Sequence, residues 1–203
     1  MLKVYKIYPS GFASNSYAVT KDGKTCAVID CAQERVWDKC AELGLVPQAV
    51  LLTHGHYDHI GGCARFIRCG VPVYASEEEA DNMFTPPYTS LSWYKIEKFP
   101  LKTLRGGQTV TVAGIDFKVI STPGHTSGGV CYLAEDCLFT GDTLFLRSIG
   151  RSDLPTGSYS QLVTSVKKLY ALPGDYKVYC GHEEDTTLAY ERANNAFVRG
   201  EDA

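Results

Sequence analysis

Apolar and polar residues alternate along the first segment, "MLKVYKIYPSG", in the two-residue period that turns one face of a strand toward a core, predicting a strand at about 2–8. The same reading, helped by Val, Ile, Tyr and Phe, predicts strands at about 15–20, 25–30, 48–53 and 71–75. Further strands follow at about 108–112, 115–120, 129–134, 137–140 and 176–180. Between them the period lengthens to that of a helix. Val36, Trp37, Cys40 and Leu43 share one face, as do Leu162, Val166 and Leu169, and a third amphipathic run covers about 185–198. Gly44 and Gly174 fall where helices or turns should stop. This alternation predicts a mixed α/β fold in which helices cover sheets, and 203 residues predict one domain over 1–203.

One stretch breaks the pattern. "MFTPPYTSLSWYKIEKF" (83–99) is aromatic and interrupted by Pro86-Pro87; it is expected to cross the surface with its aromatics on the core, a lid over a site being the alternative.

Composition narrows the classes of function. A hydrophobic fraction of 44% without an apolar run of bilayer length argues against membrane insertion. A net charge of -3 offers no broad basic footprint, so no nucleic-acid partner is expected. The first residues lack the long apolar stretch of a signal peptide, which predicts a cytoplasmic address. Eight cysteines are scattered without a C-x-x-C pair and sit mostly in apolar runs, as reduced structural thiols do.

The chemistry emerges from what precedes each metal-capable residue. "AVLLTHGH" ends at His54 and His56, "FKVISTPGH" at His125, "CLFTGD" at Asp142 and "YKVYCGH" at His182. Each is a strand-like run closing in a turn just before a His or Asp, so four strands deliver polar groups from their carboxyl ends, where α/β sheets open onto ligand crevices. Alone, Asp142 would read as a turn or cap residue and His125 as a solvated loop histidine. Together they make one metal site, because all five histidines fall into this pattern. His54 and His56, two apart on an extended segment, can chelate one ion, with Gly55 between them avoiding a Cβ clash. Asp58 and His59 point away from that pair if the chain coils at Asp58, and so suit a second ion. The following run, 60–67, looks helical, and its glycines would let backbone approach the metal site.

"THGHYDHIGG", "TPGHTSGG", "FTGDTLF" and "CGHE", in this order, resemble the metallo-β-lactamase-fold hydrolases and most closely their glyoxalase II-like (hydroxyacylglutathione hydrolase-like), small single-domain branch, over about residues 2 to 198. The resemblance implies an αββα four-layer sandwich with the site at one edge between the sheets. It implies a first metal on His54, His56 and His125, a second on Asp58, His59 and His182, and Asp142 bridging them. A binuclear metallohydrolase follows, with Asp58 and Asp142 as catalytic carboxylates around a bridging hydroxide nucleophile. Two divalent ions outweigh the charge of those three anions, which favours an oxyanion forming nearby. Imidazole and carboxylate donors suit zinc and also accept iron or manganese. Asp30 resembles a family position near the metals and could orient a ligand histidine, a turn or cap role being the alternative. Thr126 and Ser127 are expected to shape the loop after His125, and Tyr57 to line the pocket.

The substrate is read from "TLFLRSIGRSDLPTGSY" (143–159), whose "GRSDLP" resembles small glyoxalase II-like proteins. Arg151 falls where glutathione-thioester hydrolases carry a basic residue and Arg147 is a second cation; either could hold an anionic group of the substrate, or simply pair with a neighbour such as Asp153. Two departures from full-length glyoxalase II stand out: the chain stops soon after its last predicted helix, and Glu183-Glu184-Asp185 follow His182 where the family carries an aromatic, predicting an acidic rim. The expected activity is metal-dependent hydrolysis of a small acyl substrate, above all a thioester. The alternatives are an iron-dependent, persulfide dioxygenase-like oxidoreductase and a lactonase or other ester hydrolase.

Overall fold

The computed structural model describes residues 1–92 and 94–200, so Trp93 of the aromatic stretch lies outside the described residues. The first sheet has the order β1 (Lys3–Ile7), β2 (Ser16–Thr20), β3 (Thr25–Ile29), β4 (Val46–Leu51), β5 (Val73–Ser76) and β6 (Lys102–Leu104). It is antiparallel from β1 to β3 and parallel from β3 to β6. The parallel steps cross over through α1 (Arg35–Glu42), α2 (Tyr57–Ile60) with α3 (Cys63–Arg68), and α4 (Glu77–Asn82) with α5 (Pro86–Thr89). The second sheet contains β7 (Thr109–Val112), β8 (Ile115–Ser121), β9 (Val130–Ala134), β10 (Cys137–Gly141), β13 (Lys177–Cys180) and β14 (Thr186–Thr187). A small ribbon, β11 (Leu144–Phe145) with β12 (Ser148–Ile149), and helices α6 (Tyr159–Tyr170) and α7 (Leu188–Asn194) complete the order.

Three apolar layers hold these elements together. Val28, Val50, Val36, Cys40 and Phe66 pack the first sheet against its helices. Ile29, Leu51, Phe117, Val119 and Phe139 fill the space between the sheets. Leu138, Leu162, Val166, Leu169 and Leu188 join the second sheet to α6 and α7. Neighbours in one strand, Val28 and Ile29 or Leu138 and Phe139, enter opposite layers because strand side chains alternate. The result is the four-layer αββα sandwich.

Several local expectations change. Leu43 lies past the end of α1 and is 40% exposed, because Gly44 at φ +70° ends the helix before that face repeats. β6, β11, β12 and β14 span two or three residues, too short for a periodic signal. The run over 185–198 is a helix only across Leu188–Asn194. In the aromatic stretch Met83 and Tyr88 are buried and Phe84, Ile96 and Phe99 pack on the first core layer, as a core-packed crossing requires. All eight cysteines are free and seven are buried. Among the described residues no helix is long and apolar enough to cross a membrane.

Candidate metal centre

β8 and β10 both run antiparallel to β9, and β13 runs parallel to β10, so their carboxyl ends meet at one end of the second sheet. His125, Asp142 and His182 follow those three ends. β4 of the facing sheet brings His54 and His56 to the same place, and α2 adds Asp58 and His59. Glycine is required where backbones meet. A Cβ on Gly55 would lie 2.5 Å from Met83 Cβ, and one on Gly141, at φ +49°, would lie 2.3 Å from Thr53 Oγ1. Gly61 and Gly62 serve another neighbour than expected: their Cα atoms back onto the carbonyl oxygens of Ala32 and Gln33, anchoring α3 to the loop before α1 rather than approaching the metal-capable groups.

The side chains form three overlapping donor groups, His54/His56/His125, His54/His59/Asp142 and Asp58/His59/His182. His56 Nδ1 lies 3.1 Å from His54 Nε2 and 2.9 Å from His125 Nε2. On the other side Asp58 Oδ2 is 3.2 Å from His182 Nε2 and 3.9 Å from His59 Nε2. Asp142 spans the two: its Oδ1 is 3.3 Å from His59 Nε2, and its Oδ2 is 3.5 Å from both His125 Nε2 and His182 Nε2.

The donor chemistry fits cations. His59 Nε2 and Asp142 Oδ1 face this cluster and are buried; they lie 3.3 Å apart and, among the described residues, neither makes a hydrogen bond, so both stay open to a cationic ligand. Burial, reinforced by His59, His56 and His125, holds His54 well below the ordinary imidazole range, and burial with His125 pushes His56 to about 3. Both rings are therefore neutral at neutral pH, the form that binds metal. Although burial opposes it, Asp142 is held well below the carboxylate range by His59 and His182, and so stays anionic. His59, again against burial, is raised well above the imidazole range by Asp142, Asp30 and Asp58, so three carboxylates stabilise positive charge at this point. Divalent metal ions suit these groups.

The outward ring nitrogens of His59 and His125 are held by the scaffold. Asp30 accepts hydrogen bonds from His59 Nδ1 at 2.8 Å, Thr53 N–H at 2.7 Å and Thr53 Oγ1 at 2.8 Å, which gives it an orienting place beside a candidate ligand. His125 Nδ1 lies 2.6 Å from the backbone oxygen of Arg151. Ser127 N–H donates to Thr156 Oγ1 at 3.2 Å, tying the loop after His125 to the segment before α6. Sequence reasoning missed Glu79, which is fully buried beside the loops of His56 and His125. Its one visible signal is the spacing Ser76-x-x-Glu79 at a helix start, the pattern of a capping box.

A cleft of about 580 Å³ opens beside Asp58, lined by Phe12, Ala13, Tyr57 and Tyr94 and by polar Ser10, Gln33 and Glu34. Tyr57 is among the residues that line this cleft, and Tyr94 Oη donates to its carbonyl at 2.8 Å. The described lining includes neither Arg147 nor Arg151. Arg151 makes a two-pronged pair with Asp153 at 2.7 and 2.6 Å, the plainer of the two roles considered for it. Arg147, exposed at φ +56°, donates its backbone N–H to Glu191 in the β11–β12 turn. The expected acidic rim is also diminished: Asp185 is drawn away to Lys6 Nζ and Tyr17 Oη, both at 3.0 Å.

Comparison with known proteins adds a family and close relatives. The Metallo-beta-lactamase superfamily profile matches residues 9–182. A hydroxyacylglutathione hydrolase, GloC of Haemophilus influenzae, is 31% identical over 93% of this chain and 94% of its own. The crystal structure of the B3 metallo-beta-lactamase BLEG-1 superimposes with a TM-score of 0.87 at 32% identity, covering 98% of this chain and 99% of its own. The protein TTHA1623, solved in a di-iron-bound form, does so with a TM-score of 0.83 at 30% identity, covering 96% of this chain and 100% of its own.

Proposed function

The chain belongs to the metallo-β-lactamase superfamily of hydrolases and has its fold, and on that premise we propose that it is a binuclear metallohydrolase of small acyl substrates, above all thioesters of the glyoxalase II type. The observation that carries this reading is the junction of two donor groups through one buried carboxylate, Asp142. His54, His56 and His125 would hold one ion, Asp58, His59 and His182 the other, and Asp142 would touch both. When bound, such ions lower the pKa of water and polarise an acyl carbonyl. Asp58 borders the open cleft and can accept a proton from the attacking water. Tyr57 and Tyr94 offer the acyl group an apolar wall beside that carboxylate. The thiols need take no part: burial lifts Cys131 to about 11 and Cys180 higher still, leaving them protonated. The similarity to a hydroxyacylglutathione hydrolase along nearly the whole chain supports the thioester class.

Zinc is the metal we propose. The di-iron form of a structural relative favours iron as the second reading, and with it an oxidoreductase on the same ligands. Metal analysis of the purified protein, followed by assays of thioesters, lactones and a persulfide with and without chelator, separates the two. Thioester hydrolysis should fall at least about 100-fold on chelation and return with zinc. Hydrolysis that survives complete metal removal refutes the mechanism.

Because Arg151 is already paired with Asp153 and is not among the residues lining the cleft, Arg151→Ala should change kcat/KM for a hydroxyacylglutathione thioester by less than about twofold. A rise in KM of about tenfold, confined to anionic substrates, would restore the substrate contact suggested by its sequence position.

A further inference from the structure

We propose that Glu79 is a positioning residue that fixes the two loops bearing His54, His56 and His125 at the separation one metal ion requires, an inference that rests on the binuclear reading. Glu79 lies in α4, far in sequence from His125, and is fully buried. Its partners are backbone and hydroxyl donors. Oε2 accepts the N–H of Gly55 at 2.7 Å, and Oε1 accepts the N–H of Gly128 at 3.1 Å and the Tyr88 hydroxyl at 3.3 Å. Gly55 stands between His54 and His56 on the loop leaving the first sheet, and Gly128 stands three residues beyond His125 on a loop of the second. One carboxylate therefore spans the two sheets, one oxygen to each loop.

Neighbouring groups complete the clamp. Ser76 Oγ donates to the Gly128 carbonyl at 2.6 Å and accepts the Glu79 N–H at 3.2 Å, so the first turn of α4 grips both polar groups of Gly128. No Cβ fits at either contact: one on Gly55 would lie 2.9 Å from Glu79 Oε2, and one on Gly128 2.7 Å from Glu79 N. The ring of Tyr88 rests 5.2 Å from that of His56. Across this bridge His56 Nδ1 and His125 Nε2 stand 2.9 Å apart, while among the described residues no side chain of Asp58, His59 or His182 bonds to Glu79, Ser76 or Tyr88; the two donor groups meet through the backbone, where the His59 N–H donates to the His56 carbonyl at 3.0 Å. A capping-box glutamate ordinarily turns back to its own helix; here the side chain is spent on the two loops.

The isosteric Glu79→Gln separates positioning from bulk. A carboxylate accepts at both ends, whereas an amide must aim an N–H at either Gly55 or Gly128, so one loop meets a donor instead of an acceptor. The test is zinc affinity by competition with a chromophoric chelator, in two backgrounds that each keep one donor group: His182→Ala for the three-histidine group and His54→Ala for the other. Glu79→Gln should weaken zinc about tenfold or more in the His182→Ala protein and leave the His54→Ala protein unchanged. Equal affinity in the first background overturns the proposal, and so does an equal loss in both, which is general loosening. If Glu79→Gln does not fold, Ser76→Ala decides: it releases the same loop without touching the carboxylate, and should cost about threefold in the first background only. Unchanged affinity there overturns the proposal. A wild-type protein that binds a single zinc defeats the binuclear reading instead, while the single-site backgrounds still read the role of Glu79.

Discussion

Replacing Asp142 with alanine is expected to lower kcat/KM at least about 1,000-fold and to reduce bound metal below one ion per chain. The size of the effect follows from position. Asp58 touches only one donor group, but Asp142 reaches His59 through Oδ1 and both His125 and His182 through Oδ2. Deleting it removes an anion from both proposed ion positions at once and leaves the positive charge favoured at His59 with Asp30 and Asp58 alone. Folding should survive, because Asp142 bonds within the cluster and the strand before it is buried along its whole length against both sheet neighbours. Asp58→Ala is the control: it should lose one ion and keep the other. Metal analysis and steady-state kinetics on both variants check this. An Asp142→Ala protein that retains two ions and more than about a tenth of its activity would refute the bridging role.

The metal-capable set was legible because its cause is local. A buried strand has a two-residue period, a turn residue ends it, and a rare polar side chain follows at once; His125, Asp142 and His182 all satisfy that grammar. The sheets were legible for the same reason, except where strands of two or three residues leave no period to read. Groups whose role depends on distant backbone were not. Glu79 sits in the run Glu77-Glu78-Glu79, which reads as a solvated helix start, and only the packing of α4 turns the third of them inward. Arg151 is a second such case. Its basic side chain drew the functional reading, yet its backbone oxygen meets His125 while the guanidinium pairs with Asp153. Asp185 reads as part of an acidic rim only until Lys6 and Tyr17, far away in sequence, are brought beside it.

Asp30→Ala is expected to give the largest loss of stability, about 3–5 kcal/mol, because it strands buried partners of a charged group. Asp30 is 2% exposed, and its two oxygens accept three hydrogen bonds, from Thr53 N–H, Thr53 Oγ1 and His59 Nδ1. Alanine strips the Thr53 N–H and His59 Nδ1 of this acceptor in a buried site and leaves the Thr53 hydroxyl only His54 Nδ1, 3.1 Å away. It also meets a backbone at φ +54°, a left-handed conformation that Asp and Asn tolerate and alanine resists. Asp30→Asn separates the two causes. Asparagine keeps the backbone preference and one acceptor oxygen but presents an N–H to one of the donors, so its cost should be about half that of alanine. Urea denaturation of the chelated proteins measures both losses without a metal contribution. Zinc titration then reads the orienting role: with Nδ1 of His59 no longer held, Nε2 loses its fixed aim at Asp142, 3.3 Å away, and affinity at the Asp58/His59/His182 group should fall about 10- to 100-fold. An Asp30→Ala protein within about 1 kcal/mol of wild type would mean that water or a shifted Thr53 replaces the carboxylate, and His59 would then owe its orientation to the cluster itself.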